Sequence, residues 1–76
     1  MGSYYTTVKA INKSGDPVKA EVSCGGTYRG FTDEKTGELS FDLYAKDMYS
    51  VSIKSSIYGN ASGSVRGGGE AVFRLK

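Results

Sequence analysis

Apolar and polar residues alternate along most of this chain, in short segments that are separated by glycine, serine, asparagine and aspartate. The clearest segment is 18–24 (VKAEVSC), in which every second residue is apolar or a cysteine. Successive side chains of a β-strand point to opposite faces, so this pattern predicts a strand with one buried face. The turn-forming residues recur at the short spacing that is typical of β-sandwiches and barrels. The alternation therefore predicts an all-β fold.

Seven segments of the sequence show a strand pattern. They are residues 4–12, 18–24, 27–32, 39–43, 49–53, 57–66 and 71–76. In the first segment we expect Thr6 and Val8 to face the core, because the opposite face carries Lys9. The glycine-rich segment 57–66 is expected to be a mobile or edge strand, and Gly30 is a candidate bulge in the third segment.

The strands are expected to pack as two sheets about 10 Å apart, because one open sheet would leave an apolar face in water. A chain of 76 residues suffices for one domain. We expect this domain to cover residues 4–76, with residues 1–3 as a disordered start or a remnant of expression. A five-stranded barrel of the OB type is the alternative fold, since arginines and aromatic residues occur together.

The composition argues against most enzyme chemistries, and we expect a protein that is not an enzyme and uses neither cofactor nor metal. The chain has no histidine, the commonest general base and metal ligand. Its single cysteine, Cys24, cannot form an intrachain disulfide and is predicted to be a small buried hydrophobe. The net charge is only +2, with no block of like charge, which disfavours a nucleic-acid partner. No apolar run approaches the length of a membrane span.

Three acidic residues lie around one glycine between the third and fourth segments. Asp33, Glu34 and Glu38 could supply oxygen ligands to a hard cation. Lys35 lies among them, however, and the spacing of a calcium loop is missing. We therefore predict a hairpin turn with solvated acids and with Gly37 at positive φ.

The order of these features resembles that of a known family of β-sandwich domains. The features are SGDPV at 14–18, AEV at 20–22, TDEKTGELSF at 32–41, YSVSI at 49–53 and the aromatic Tyr58. They are similar to those of the carboxypeptidase regulatory-like domains, also called transthyretin-like or prealbumin-like domains. The resemblance implies an immunoglobulin-like, seven-stranded Greek-key sandwich that serves as a non-catalytic module. It favours an extracellular or cell-surface location.

Exposed tyrosines are the best candidates for a binding site in this sequence. Tyrosine is enriched at binding surfaces, because it combines a large apolar ring with a polar hydroxyl. We predict that Tyr28, Arg29, Tyr44 and Tyr58 contact a ligand. The expected function is a binding or structural module for protein partners or surfaces. A carbohydrate-binding module that uses the same tyrosines is the alternative, followed by a small nucleic-acid binder. Unpaired sheet edges allow either a monomer or a weak homodimer.

Overall fold

Residues 3–75, the part of the chain that this computed structural model describes, form seven β-strands and no helix. In chain order they are β1 (Tyr4–Ile11), β2 (Glu21–Cys24), β3 (Thr27–Phe31), β4 (Glu38–Leu43), β5 (Met48–Ser55), β6 (Gly59–Arg66) and β7 (Glu70–Arg74). The predicted all-β chain of seven strands is thus confirmed. Met1 and Gly2 of the predicted disordered start lie outside the described residues, and so does Lys76, with which the last predicted strand ends. No helix that could span a membrane occurs in residues 3–75.

The strands form two sheets that face each other. The three-stranded sheet has the order β4-β1-β7, and the four-stranded sheet has the order β3-β2-β5-β6. Strand β1 runs parallel to β7 and antiparallel to β4, whereas the pairs of the four-stranded sheet are antiparallel. The chain crosses from one sheet to the other after β1, β3, β4 and β6. The prediction of two packed sheets is therefore confirmed.

One apolar core lies between the two sheets. Its buried residues are Val8, Ala10, Val18, Ala20, Val22, Cys24, Leu43, Val51, Ile53, Val65, Phe73 and Leu75. Apart from Val65, for whose segment no inward face is predicted, each belongs to the face that the alternation predicts to point inward, and Thr6 is buried with them. Removing a side chain of this size from water contributes about 1.5–3 kcal/mol when burial is complete. Cys24 is fully buried in this core, as predicted.

Val18 and Ala20 are buried, but residues 18–20 are not part of a strand, so the prediction that the second strand begins at Val18 is wrong. The Thr32 hydroxyl hydrogen bonds to the backbone of this segment, as the backbone of a neighbouring strand would do. It accepts a hydrogen bond from the Ala20 N–H (2.8 Å) and donates one to the Val18 carbonyl (2.5 Å). These backbone groups are satisfied by a side chain instead of a ladder, and β2 begins only at Glu21.

Residues 57 and 58 form a turn, so the predicted sixth strand begins two residues too early. The Ser55 hydroxyl oxygen accepts hydrogen bonds from the N–H groups of Ile57 (3.2 Å) and Tyr58 (3.1 Å). A serine hydroxyl that binds the following backbone in this way stabilises a turn. The remainder of the segment forms β6 at one edge of the four-stranded sheet, which confirms the predicted edge strand.

The acidic segment between β3 and β4 is a turn with exposed acids, as predicted, but it is not the predicted hairpin, because β3 and β4 belong to different sheets. Gly37 has a φ of 75° and donates a hydrogen bond to the Asp33 carbonyl, with an N···O distance of 2.6 Å. The Asp33 carboxylate accepts a hydrogen bond from the Lys35 N–H at 2.7 Å. Among the described residues, no three His, Cys, Asp or Glu side chains lie close enough together to hold a metal ion.

Candidate ligand-binding site

The four residues predicted to bind a ligand do not form one cluster. Tyr28 and Arg29 lie on β3, and Tyr44 follows β4 in a loop. The Gly25 N–H donates to the Ser50 carbonyl, which places the β2–β3 hairpin at the same end of the molecule as the loop with Tyr44. Tyr58 lies in the β5–β6 turn at the opposite end, where its half-buried ring packs against the core.

A β-bulge in β3 changes the faces of the sheet to which its side chains point. Val22 pairs with Gly30 and Ser23 pairs with Tyr28, so Arg29 is the extra residue between two ladder partners. Gly30 has a φ of 124°, which a residue with a side chain rarely adopts. The predicted bulge at this position is confirmed. An extra residue reverses the alternation along the strand.

The bulge turns Arg29 toward the interior of the molecule. Its guanidinium carbon lies 5.2 Å from the ring centre of Phe41 on the opposite sheet, and its Nη2 donates to the Cys24 carbonyl at 3.4 Å. Its Nε is buried and has no hydrogen-bond partner. Arg29 therefore closes the open side of the two sheets between β3 and β4 and presents little of its side chain to a ligand.

The same bulge places two aromatic side chains on the outer side of β3. Tyr28 and Phe31 are 56% and 49% exposed, and their rings meet edge to face with centres 6.3 Å apart. The ammonium group of Lys19 lies 5.3 Å from the centre of the Phe31 ring. Strand residues three apart normally point to opposite faces, so this aromatic pair depends on the bulge.

Serine side chains occupy the outer face of the four-stranded sheet next to this pair. The pairing register aligns Tyr28 of β3 with Ser23 of β2, Ser52 of β5 and Ser62 of β6. We call these four residues the hydroxyl row. It runs across the strands, with one hydroxyl per strand at intervals of about 4.8 Å. Ser50 pairs with Ser64 in a parallel second row.

The serines line a shallow depression of about 500 Å³ on this face. Its lining consists of Ser23, Gly26, Ser50, Val51, Ser52, Ser62 and Gly63. The small side chains leave the sheet surface open. Tyr28 is not one of the lining residues, but it pairs with Ser23 on the neighbouring strand. None of the lining side chains is ionisable, so the depression offers hydrogen-bond donors and acceptors without charge. This arrangement suits recognition of a neutral polar ligand better than acid–base chemistry.

The cysteine beneath this face does not add a reactive group. Cys24 lies on the inner side of β2, in the core. Burial raises the pKa of its thiol, and the opposing effect of the Arg29 charge is smaller. The thiol is consequently protonated at neutral pH, and a protonated thiol is a poor nucleophile.

The sequence-based prediction missed the serines and Phe31. An outward direction for Ser23, Ser50 and Ser52 is readable from the alternation, because each lies between two inward-facing residues. Their alignment into rows depends on which strands are neighbours and in which register, and the sequence does not display either.

Comparisons with family models, curated proteins and solved structures find no match to this chain. The resemblance to the carboxypeptidase regulatory-like domains accordingly stays a prediction.

Proposed function

We propose that this chain is a non-catalytic binding module and that the outer face of its four-stranded sheet binds a neutral glycan. The observation that carries the proposal is the hydroxyl row, in which Tyr28 stands next to three aligned serines. A glycan recognises such a surface through hydrogen bonds to its hydroxyl groups and through stacking of a sugar ring on an aromatic side chain. An uncharged depression with an exposed tyrosine on the neighbouring strand provides both.

The direction of the hydroxyl row supports an extended ligand that lies across the strands. Neighbouring strands are about 4.8 Å apart, which is similar to the length of one hexose unit in an extended chain. Successive sugars that begin on Tyr28 would therefore each meet one serine. The shallow shape of the depression suits a chain that passes over the sheet better than a small molecule enclosed in a pocket.

Retention on neutral polysaccharides tests this proposal. We expect affinity electrophoresis on soluble cellulose, xylan and chitin derivatives to slow the wild-type chain on at least one of them. Tyr28→Ala is expected to weaken that binding at least about tenfold, because it removes the only aromatic platform of the hydroxyl row. Ser52→Val, which keeps the strand but removes the central hydroxyl, is expected to weaken it as well.

Tyr5→Ala is the matched control, since Tyr5 is 69% exposed on the outer face of the other sheet. If Tyr28→Ala and Tyr5→Ala weakened polysaccharide binding equally, the proposal would be contradicted. A failure of the wild type to bind any of these polysaccharides would contradict it as well. Binding to heparin or single-stranded DNA that falls steeply with salt would favour the nucleic-acid alternative instead.

A protein partner is the second candidate, and the loop between β4 and β5 favours it. Tyr44 is 84% exposed and Met48, at the end of this loop, is 58% exposed. Tyrosine and methionine are enriched in protein interfaces. A partner that is lost from a pull-down with Tyr44→Ala and retained with Tyr28→Ala would support this candidate.

We further propose the Greek-key, carboxypeptidase regulatory-like assignment for the fold. It is supported by the order of the sequence motifs and by the repeated crossing of the chain between a three-stranded and a four-stranded sheet. We also propose an extracellular or cell-surface location, which the same family resemblance favours.

A further inference from the structure

Three of the four edge strands carry features that discourage pairing with another chain. Strand β3 has five residues and a bulge, and β7 has five residues with Glu70 and Arg74 at its ends. Strand β4 carries the exposed acids Glu38 and Asp42. Short length, bulges and charged side chains are the usual means by which sheet edges are protected.

Strand β6 has none of these features along most of its length. It has eight residues, all of which pair with β5 without a register shift. Its sequence, GNASGSVR, contains no proline, and its only charged residue is the terminal Arg66. Within residues 3–75, no strand lies on its other side.

The backbone groups on the free side of β6 can be identified from the pairing pattern. Ser50 uses its carbonyl toward β2, so the even-numbered residues of β5 bond to β2 and the odd-numbered ones bond to β6. The odd-numbered residues of β6 are their partners. Asn60, Ser62 and Ser64 therefore direct their N–H and C=O groups away from the sheet, where they are available to another strand.

We propose that two copies of this chain pair antiparallel through β6, with Gly63 opposite the partner's Gly63. In this register Ser62 lies opposite the partner's Ser64, so that residues with free backbone groups face each other and each such pair exchanges two hydrogen bonds. The two four-stranded sheets then form one continuous sheet.

The side chains of β6 are complementary to themselves in this register. On the outer face Asn60 lies opposite the partner's Arg66, so no two like charges are directly opposed. On the inner face Ala61 lies opposite the partner's Val65, which continues the apolar side. Gly63 leaves room there for the ring of Phe73, since a Cβ at Gly63 would lie 2.7 Å from Phe73 Cε2. If the register of the two β6 strands were shifted by one residue, outward-facing serines would lie opposite inward-facing residues, and the matching of like faces would be lost.

Pairing through β6 would also lengthen the hydroxyl row. Ser62 ends the row in one copy, and the partner's Ser64 and Ser50 would follow it across the joined sheet. The pairing does not depend on glycan binding, because it is argued from the edge of the sheet alone. A failure to bind any polysaccharide would leave it standing.

Sedimentation velocity over a concentration series up to about 1 mM tests the pairing. We expect the wild type to dimerise, and we expect Ser62→Pro to weaken the dimer at least about tenfold. Proline at this position removes an N–H that points away from β5 and leaves the β5–β6 ladder in place. Ser62→Thr keeps the N–H and is the matched control, with dimerisation like that of the wild type. A wild type that stays monomeric throughout, or a Ser62→Pro dimer of undiminished strength, would overturn the proposal.

Cross-linking tests the register and does not require the proline variant to fold. Residues opposite each other in a hydrogen-bonded pair have Cα atoms about 5.5 Å apart, which suits a disulfide. We expect a mixture of Ser62→Cys and Ser64→Cys chains to form a cross-linked dimer under mild oxidation, and each variant alone to form far less. Equal cross-linking in the mixture and in the separate variants would contradict the register. Cys24 does not interfere because it is buried.

Discussion

Replacing Thr32 by valine is expected to lower the free energy of unfolding by about 2–4 kcal/mol. Valine has nearly the shape of threonine but cannot hydrogen bond. The Ala20 N–H and the Val18 carbonyl would each lose the partner that the Thr32 hydroxyl supplies. Because Thr32 is buried, water cannot easily replace that hydroxyl. For a domain of this length, whose total stability is about 4–11 kcal/mol, the loss is large. Urea unfolding followed by circular dichroism measures it.

Thr32→Ser is the control for this prediction. Serine keeps the hydroxyl and removes one methyl group, so the expected loss is about 1 kcal/mol. If valine and serine lowered the stability equally, packing of the methyl group would be the cause, and the hydroxyl would not explain why residues 18–20 lie outside a strand.

Gly37→Ala is expected to lower the free energy of unfolding by about 2–4 kcal/mol, for a different reason. A Cβ at this position would lie 2.5 Å from the Ala10 carbonyl oxygen and 3.1 Å from the Pro17 Cβ. Backbone atoms of two other segments would have to move. The positive φ of Gly37 adds strain, since residues with a side chain rarely adopt it. The shift of the urea midpoint at constant slope measures the effect.

Gly15→Ala separates the two causes. Gly15 also has a positive φ, of 88°, but a Cβ there would have no neighbour within 4 Å. Strain alone should cost about 1 kcal/mol at this site. A loss at Gly15 as large as that at Gly37 would show that the close approach to Ala10 contributes nothing.

The inward-facing residues of the strands could be predicted because the buried face of a strand carries apolar residues at every second position. In segment 49–53, for example, Val51 and Ile53 are separated by a serine, and both are buried. The prediction failed at residues 18–20, where the apolar alternation continues although no strand forms. A threonine hydroxyl twelve residues away from Ala20 satisfies the backbone there, and no local pattern reveals a contact at that distance.

The candidate site could be predicted only in part, because it depends on features that alternation does not encode. Tyr28 was identified as an exposed aromatic residue, but the bulge that sets it beside Phe31 and turns Arg29 inward follows from the pairing of β3 with β2. The serines were visible as outward-facing residues. Their alignment with Tyr28 required the register of four strands, of which β2 and β5 are not neighbours in the sequence.

The most direct test of the proposed binding face is a nuclear magnetic resonance titration of the ¹⁵N-labelled chain with cellohexaose, xylohexaose and chitohexaose. The proposal predicts that the amide signals of Tyr28, Ser23, Ser52 and Ser62 shift together with at least one of these neutral oligosaccharides. Signals on the outer face of the three-stranded sheet, such as those of Tyr5 and Val72, should stay in place. Shifts confined to that other face, or no shift with any of the three, would contradict the proposal.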